Sequence, residues 1–258
     1  MSIFDVQHQE RAHRIIQQAL SSRRMPHAYL FVGPEGVGRE MLAARLARLL
    51  LCAQPARLEL PETLADVVPE GRGLDACGQC EDCRLVQAGT HPDLRLIYRQ
   101  LNRQHPDSRI RKQKALNISV AVIREFLINR VGPRSIRGRA KVFIIREAER
   151  LEDEAQNALL KTLEEPPADT FLILVTTAMD RMLPTTRSRC QQVQFRALPA
   201  TFVAERLSRF RPEADPEAVS YVARHVEGRL GVAIQMLDDG LYPLKRAWGE
   251  RLAELAGA

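Results

Sequence analysis

No stretch of this 258-residue sequence approaches 18 consecutive apolar residues, which excludes a membrane-spanning helix. The opening MSIFDVQHQER lacks the apolar segment of a secretory signal, so the sequence points to the cytoplasm. An acidic excess is missing as well. Thirty-eight Lys and Arg against 32 Asp and Glu leave a formal +6, which removes the strongly acidic, disordered class and permits a polyanionic partner. No internal repeat is visible. Cysteine is scarce, five residues in all, yet three of them crowd into CGQCEDC. In a cytosolic protein such spacing reads as a metal site before a disulfide. What remains is ordinary for a globular chain, 45% hydrophobic and 27% charged, long enough for one large domain or two smaller ones. A core of that size needs no staple for bulk stability.

The positive charge is unevenly spread. Between Arg95 and Lys141 stand 13 Lys and Arg against Asp107 and Glu125 alone, a local +11. The rest of the chain carries 25 basic and 30 acidic groups and is net negative. Arg99, Arg103, Arg109, Arg111, Lys112 and Lys114 have almost no acidic company. A solvated loop and helix face accounts for such a run. A patch facing a polyanion is the sharper alternative.

Periodicity supplies a coarse map. Ala12, Ile15, Ile16 and Ala19 recur at helical spacing, and AYLFV (28–32) reads as a short buried strand closed by GPEGVG. Leu42, Leu46, Leu49 and Leu50 mark the next helix, while 54–76 carries Pro and Gly and reads as a loop insertion. LRLIY (94–98), KVFII (141–145) and FLILV (171–175) are further apolar runs. Between the last two, Leu151, Ala155, Leu159 and Leu163 repeat every four residues until Pro166 and Pro167 stop the helix. Alternating strands and helices predict an α/β domain, a parallel sheet with helices on both faces, over 1–196. Residues 197–240 read as a small helical domain. Only 241–258 remain beyond it.

GPEGVGRE, with Gly33, Gly36 and Gly38, follows a strand and opens a helix, the setting in which backbone N–H groups wrap phosphates. The chemistry expected next is replaced. Where Lys and Ser/Thr belong stand Arg39 and Glu40. A guanidinium substitutes poorly for the compact ammonium between phosphates, the hydroxyl for Mg²⁺ is gone, and a carboxylate there repels phosphate. The second element of such a site is an apolar strand ending in acids; KVFIIREAERL puts Arg146 in the first acidic position and keeps Glu147. ATP binding and hydrolysis by this chain are therefore not expected, and the loop is expected to stand empty.

The runs NALLKTLEEPP (157–167), FLILVTT (171–177) and LPTTRSRCQQVQF (183–195), together with MPHAYLFVGPEGVGRE, resemble the bacterial clamp-loader branch of the AAA+ ATPases over about 5–240. The resemblance implies an AAA+ module with a zinc-module insert at about 52–91 and a helical lid. It implies a place beside the other clamp-loader subunits, and through them contact with the sliding clamp and primed DNA. The replacements at Arg39, Glu40 and Arg146 favour a non-hydrolysing subunit over a motor. A motor subunit of the same family and a non-replicative DNA-binding zinc protein are the alternatives. Family members carry a third, collar domain, which 241–258 is too short to form.

Cys77, Cys80 and Cys83 form CxxCxxC, and Cys52 ends the preceding helix; four thiolates make a tetrahedral zinc set. The 24 residues between Cys52 and Cys77 exceed the family's usual gap, so Cys52 competes with His91 for the fourth position. Three reduced surface thiols are the plain alternative. Within Ser188-Arg189-Cys190 the resemblance implies that Arg189 projects to a neighbouring subunit's nucleotide, where a planar fork grips phosphate oxygens. Thr176 and Thr177 match the polar sensor of active relatives. Gly231 stands where those relatives place a lid arginine, with Arg229 displaced by two.

Overall fold

The computed structural model describes residues 2–60, 62–65 and 71–256. In chain order the named elements are α1 (Glu10–Ser21), β1 (Ala28–Val32), α2 (Arg39–Leu51), β2 (Ala56–Glu59), β3 (Arg72–Asp75), α3 (Glu81–Gln87) and β4 (Leu94–Ile97). They continue as α4 (Ser108–Arg111), α5 (Val120–Ile123), α6 (Asn129–Val131), β5 (Lys141–Ile145), α7 (Asp153–Glu164), β6 (Thr170–Thr176), α8 (Pro184–Arg187) and β7 (Gln191–Gln194). Four helices follow: α9 (Ala200–Phe210), α10 (Pro216–His225), α11 (Leu230–Asp238) and α12 (Leu241–Ala256). Arg124–Ile128 joins α5 to α6 as a π-helical turn.

Five strands form one parallel sheet in the order β4-β5-β6-β1-β7. The central strands are buried along nearly their whole length, AYLFV and KVFII without exception, because helices cover both faces and neither face has to be polar. Side chains alternate between two packed layers. Leu30, Phe143, Ile145, Leu172 and Leu174 meet Val122, Ile123, Leu127, Ala155, Leu159 and Leu163 of the helices from α5 to α7. On the opposite face Tyr29 and Phe31 are buried, and the Phe31 and Phe195 rings lie 5.2 Å apart. α7 ends at Glu164, where Pro166 and Pro167 offer no N–H to continue it.

The segment expected as a loop insertion contains order. β2 and β3 pair antiparallel, from Ala56 opposite Asp75 to Glu59 opposite Arg72. Gln17 on α1 bonds both the N–H and the carbonyl of Leu74 at 2.9 Å, and the buried Asp75 carboxylate accepts from Ile3 N at 3.1 Å. Such tertiary bonds leave no mark in local composition. Part of that expected insertion, residues 61 and 66–70, lies outside the described residues, as do the last two residues of the expected C-terminal remnant. β7 is the other strand the apolar pattern missed: QQVQ has one buried apolar residue and borders the sheet on one side only.

The chain separates into two compact units. One holds the residues up to Val32 and Arg39–Phe195; the other holds Gly33–Gly38 and the chain from Arg196 onward. In the second, Val203 and Leu207 of α9, Val219, Val222 and Ala223 of α10 and Ala233 of α11 make a small helical core. Among the described residues no helix is long and apolar enough to cross a membrane.

Candidate functional site

The four cysteines of the insert converge. Cys52 follows α2, Cys77 and Cys80 lie in the turn after β3, and Cys83 stands in the first turn of α3, with all four sulfurs within 4.8 Å of one another. The Cys52 Sγ lies 3.5 Å from that of Cys77 and 3.9 Å from that of Cys80. Backbone N–H groups point at the sulfurs: Cys77 N donates to Cys52 at 3.3 Å, Cys80 N to Cys77 at 3.4 Å and Cys83 N to Cys80 at 3.4 Å. Donation from the N–H groups of Gln79 and Cys80 lowers the Cys77 thiol to about 6, whereas burial raises Cys52 and Cys83. Four adjacent thiols cannot all ionise unless a cation balances them, and an all-sulfur set selects a thiophilic metal. His91 is elsewhere. Its Nδ1 accepts from Asp93 N at 3.1 Å and its Nε2 faces Asp82 at 3.4 Å. Cys190, the fifth cysteine, belongs to the sheet core, and burial pushes its thiol up to about 12.

Within the sheet unit, two of the three residues singled out around the glycine loop, Glu40 and Arg146, meet each other. Arg146, just past β5, pairs with Glu40 in the first turn of α2 at 2.8 Å. Glu147 has left-handed backbone, φ 50°, and its carboxylate lies 3.2 Å from the Arg99 guanidinium. Thr176 is buried and donates to the Ala178 carbonyl; Thr177 bonds Glu149 through both its N–H and its hydroxyl, at 3.2 and 2.9 Å. The Arg39 side chain is buried.

Within the helical unit, the glycine loop has a partner of its own. Gly36 has φ 77°, and Gly231 N donates to its carbonyl at 3.4 Å. A Cβ on Gly36 would come 2.6 Å from Gly231 N, so only glycine permits the approach. Gly38 also takes a positive φ, 101°. Arg229 donates from Nε to the Val226 carbonyl at 3.0 Å, which ties it to its own turn.

Arg189 lies in the turn between α8 and β7. Its Nη2 pairs with Glu164 at the end of α7, and its Nη1 donates to the Thr185 carbonyl at 2.9 Å. A third of the side chain is exposed. In the basic segment, Arg109, Lys112 and Lys114 are exposed on and after α4, Arg111 donates to the carbonyls of His105 and Pro106, and Arg99 is taken by Glu147.

Residues 8–199 match the profile of the family described as DNA polymerase III, delta subunit. A Pseudomonas aeruginosa protein named DNA polymerase III subunit delta' is 36% identical over 208 residues, 79% of this chain and 55% of that protein. The Escherichia coli subunit tau is 33% identical over 241 residues, 92% of this chain and 32% of its own length. The chain thus spans about half the length of the first relative and a third of the second. The fold is similar to that of the Thermotoga maritima RuvB Holliday junction branch migration motor, with a TM-score of 0.50 at 14% identity over 93% of this chain and 64% of that one.

Proposed function

Because the chain belongs to the DNA polymerase III delta-subunit family, we propose that it acts as the non-hydrolysing, delta-prime-like subunit of the replicative clamp loader. In this role it braces the loader ring in the cytoplasm beside motor and delta-type subunits. It lends Arg189 to a neighbour's nucleotide while the sliding clamp is loaded on primed DNA. The observation that carries the reading is the 2.8 Å pair between Glu40 and Arg146. In an active P-loop site a hydroxyl and an acid at these places share Mg²⁺. Here an acid and a base satisfy each other, so neither the metal nor the phosphate charge has a vacant partner. Glu147, the retained acid, is engaged by Arg99, and the sensor threonines are engaged by Ala178 and Glu149.

A motor subunit is the alternative, and the similarity to tau over 92% of the chain favours it. Its chemistry requires the groups that Arg39, Glu40 and Arg146 replace. Titration of the isolated chain with ATP separates the two readings. Low-micromolar affinity with turnover establishes the motor; neither, together with assembly into a reconstituted loader, supports the delta-prime-like role.

The cysteine cluster fits structural zinc. The sulfur separations, all within 4.8 Å, bracket the edge of about 3.8 Å expected for thiolates about 2.3 Å from a tetrahedral ion. Zinc supplies the positive charge that lets all four sulfurs ionise. Cys52, Cys77, Cys80 and Cys83 would hold it, clamping the end of α2 to the start of α3.

A further inference from the structure

A cleft of about 170 Å³ opens beside the edge strand β4, lined by Arg95, Arg130, Arg134 and Lys141 and by Pro133 and Ile136, with the core residue Phe143 at its floor. Its cationic rim is held by buried charge. The Lys141 side chain, 7% exposed, donates to the carbonyls of Arg130, Val131 and Pro133; three donors on three acceptors require the ammonium form. Asp93, 5% exposed, accepts from Ile136 N and Arg137 N at 2.8 Å each. One buried base and one buried acid are thus both spent on the backbone of residues 130–137, the stretch that carries Arg130 and Arg134. Burying two charges is costly, and here it fixes the shape of that stretch.

The arginines divide by what they touch. Arg137 pairs with Glu81 and Asp82, and Arg139 donates to the Ala53 carbonyl, so these two tie the loop to the cysteine module. Arg130 is shared with Glu125 at 3.3 Å. The side chains of Arg95 and Arg134, both exposed and both on the cleft, have no hydrogen-bond or ion-pair partner among the described residues. Arg95 stands opposite Phe143 in the β4–β5 register, so the exposed charge shares a face of the sheet with that buried core ring. The carboxylate of Asp93 is turned to the loop N–H groups, which leaves the cations in excess over the one acid of the lining.

We propose that this cleft binds a phosphate of a nucleotide unit, gripped by Arg95 and Arg134, with the base or sugar against Pro133 and Ile136. Neither Arg189 nor any residue of Gly33–Gly38 is among its lining. A forked guanidinium suits a phosphate oxygen pair, and the apolar wall suits a nucleobase face better than a bare inorganic anion. The phosphate can come from a DNA strand or from a free nucleotide, and the probes separate them.

The zinc-loaded full chain is titrated with a fluorescent oligothymidylate, with thymidine monophosphate and with inorganic phosphate, at low salt and over a salt series. Arg95→Ala with Arg134→Ala should weaken binding about tenfold and lower the salt slope by about 1 per arginine removed. Ile136→Glu, at a residue 75% exposed, should weaken it without a folding defect. Lys161→Ala with Arg209→Ala removes the same charge from exposed positions elsewhere and should change little. Binding of the oligonucleotide alone assigns a strand phosphate, and competition by thymidine monophosphate assigns a terminal one. The proposal is overturned if no probe binds, if the Arg95/Arg134 variant binds as before, or if the Lys161/Arg209 variant loses as much.

Discussion

The Arg189 guanidinium is held within its own chain by the Glu164 carboxylate on one side and the Thr185 carbonyl, at 2.9 Å, on the other. The arginine is therefore oriented by its own chain, and in the role proposed for it a neighbour's phosphate has only to displace one half-exposed acid. Surface pairs of this kind contribute about 0–1 kcal/mol, so Arg189→Ala should leave the melting temperature and metal content nearly unchanged. In a reconstituted loader it should lower the clamp- and DNA-stimulated ATPase. A finger is worth about 10³–10⁵ at the site it completes, and the summed loss is smaller because other sites keep theirs. Arg189→Lys should rescue poorly, since a point charge lacks the planar fork. Full stimulated turnover by a normally assembled alanine variant would remove Arg189 from the mechanism.

Glu40 and Arg146 should behave as a unit. Glu40→Gln or Arg146→Gln alone should cost at most about 1 kcal/mol of stability, because both side chains are nearly half exposed. Neither single change should create ATP binding, since Arg39 still stands in the lysine position. Calorimetric titration with Mg²⁺-ATP checks this; micromolar binding by either variant would contradict it.

One zinc per chain is expected on gentle purification. Cys52→Ser, Cys77→Ser or Cys80→Ser should lower metal content and melting temperature together, whereas His91→Ala should keep the metal. Loss of zinc in the His91 variant, with Cys52→Ser retaining it, would reverse the assignment of the fourth ligand.

The exposed cations after Asp107 give a salt prediction. In the assembled loader, reversing Arg109, Arg111 and Lys112 should weaken DNA binding and flatten its dependence on salt. An unchanged affinity would leave that segment as a solvated face.

His13 is buried, with Nε2 donating to the Val6 carbonyl at 2.7 Å, and desolvation lowers its pKa from 6.5. The unfolded chain therefore takes up the proton first. Stability should be flat above about pH 6.5 and fall below it until the folded-state pKa is passed. His13→Gln should reduce that fall in the difference between the two unfolding curves, which holds other titrating groups constant.

The sequence alone determined the parallel α/β architecture and which residues follow the glycine loop and the strand Lys141–Ile145. Central strands such as Ala28–Val32 and Lys141–Ile145 are buried on both faces and are apolar but for Lys141, so composition betrays them. That Arg39, Glu40 and Arg146 occupy those positions is visible in the letters themselves. Tertiary structure decided what lies between distant segments. Gln191–Gln194 is a strand because Tyr29–Val32 offers it an edge, not because its own residues prefer one. Cys52 joins Cys77 across 24 residues because α2 and the turn after β3 meet, and no spacing rule reaches that far. Read singly, Glu40 and Arg146 are two unrelated charges; only folding, by bringing α2 beside the end of β5, turns them into one ion pair.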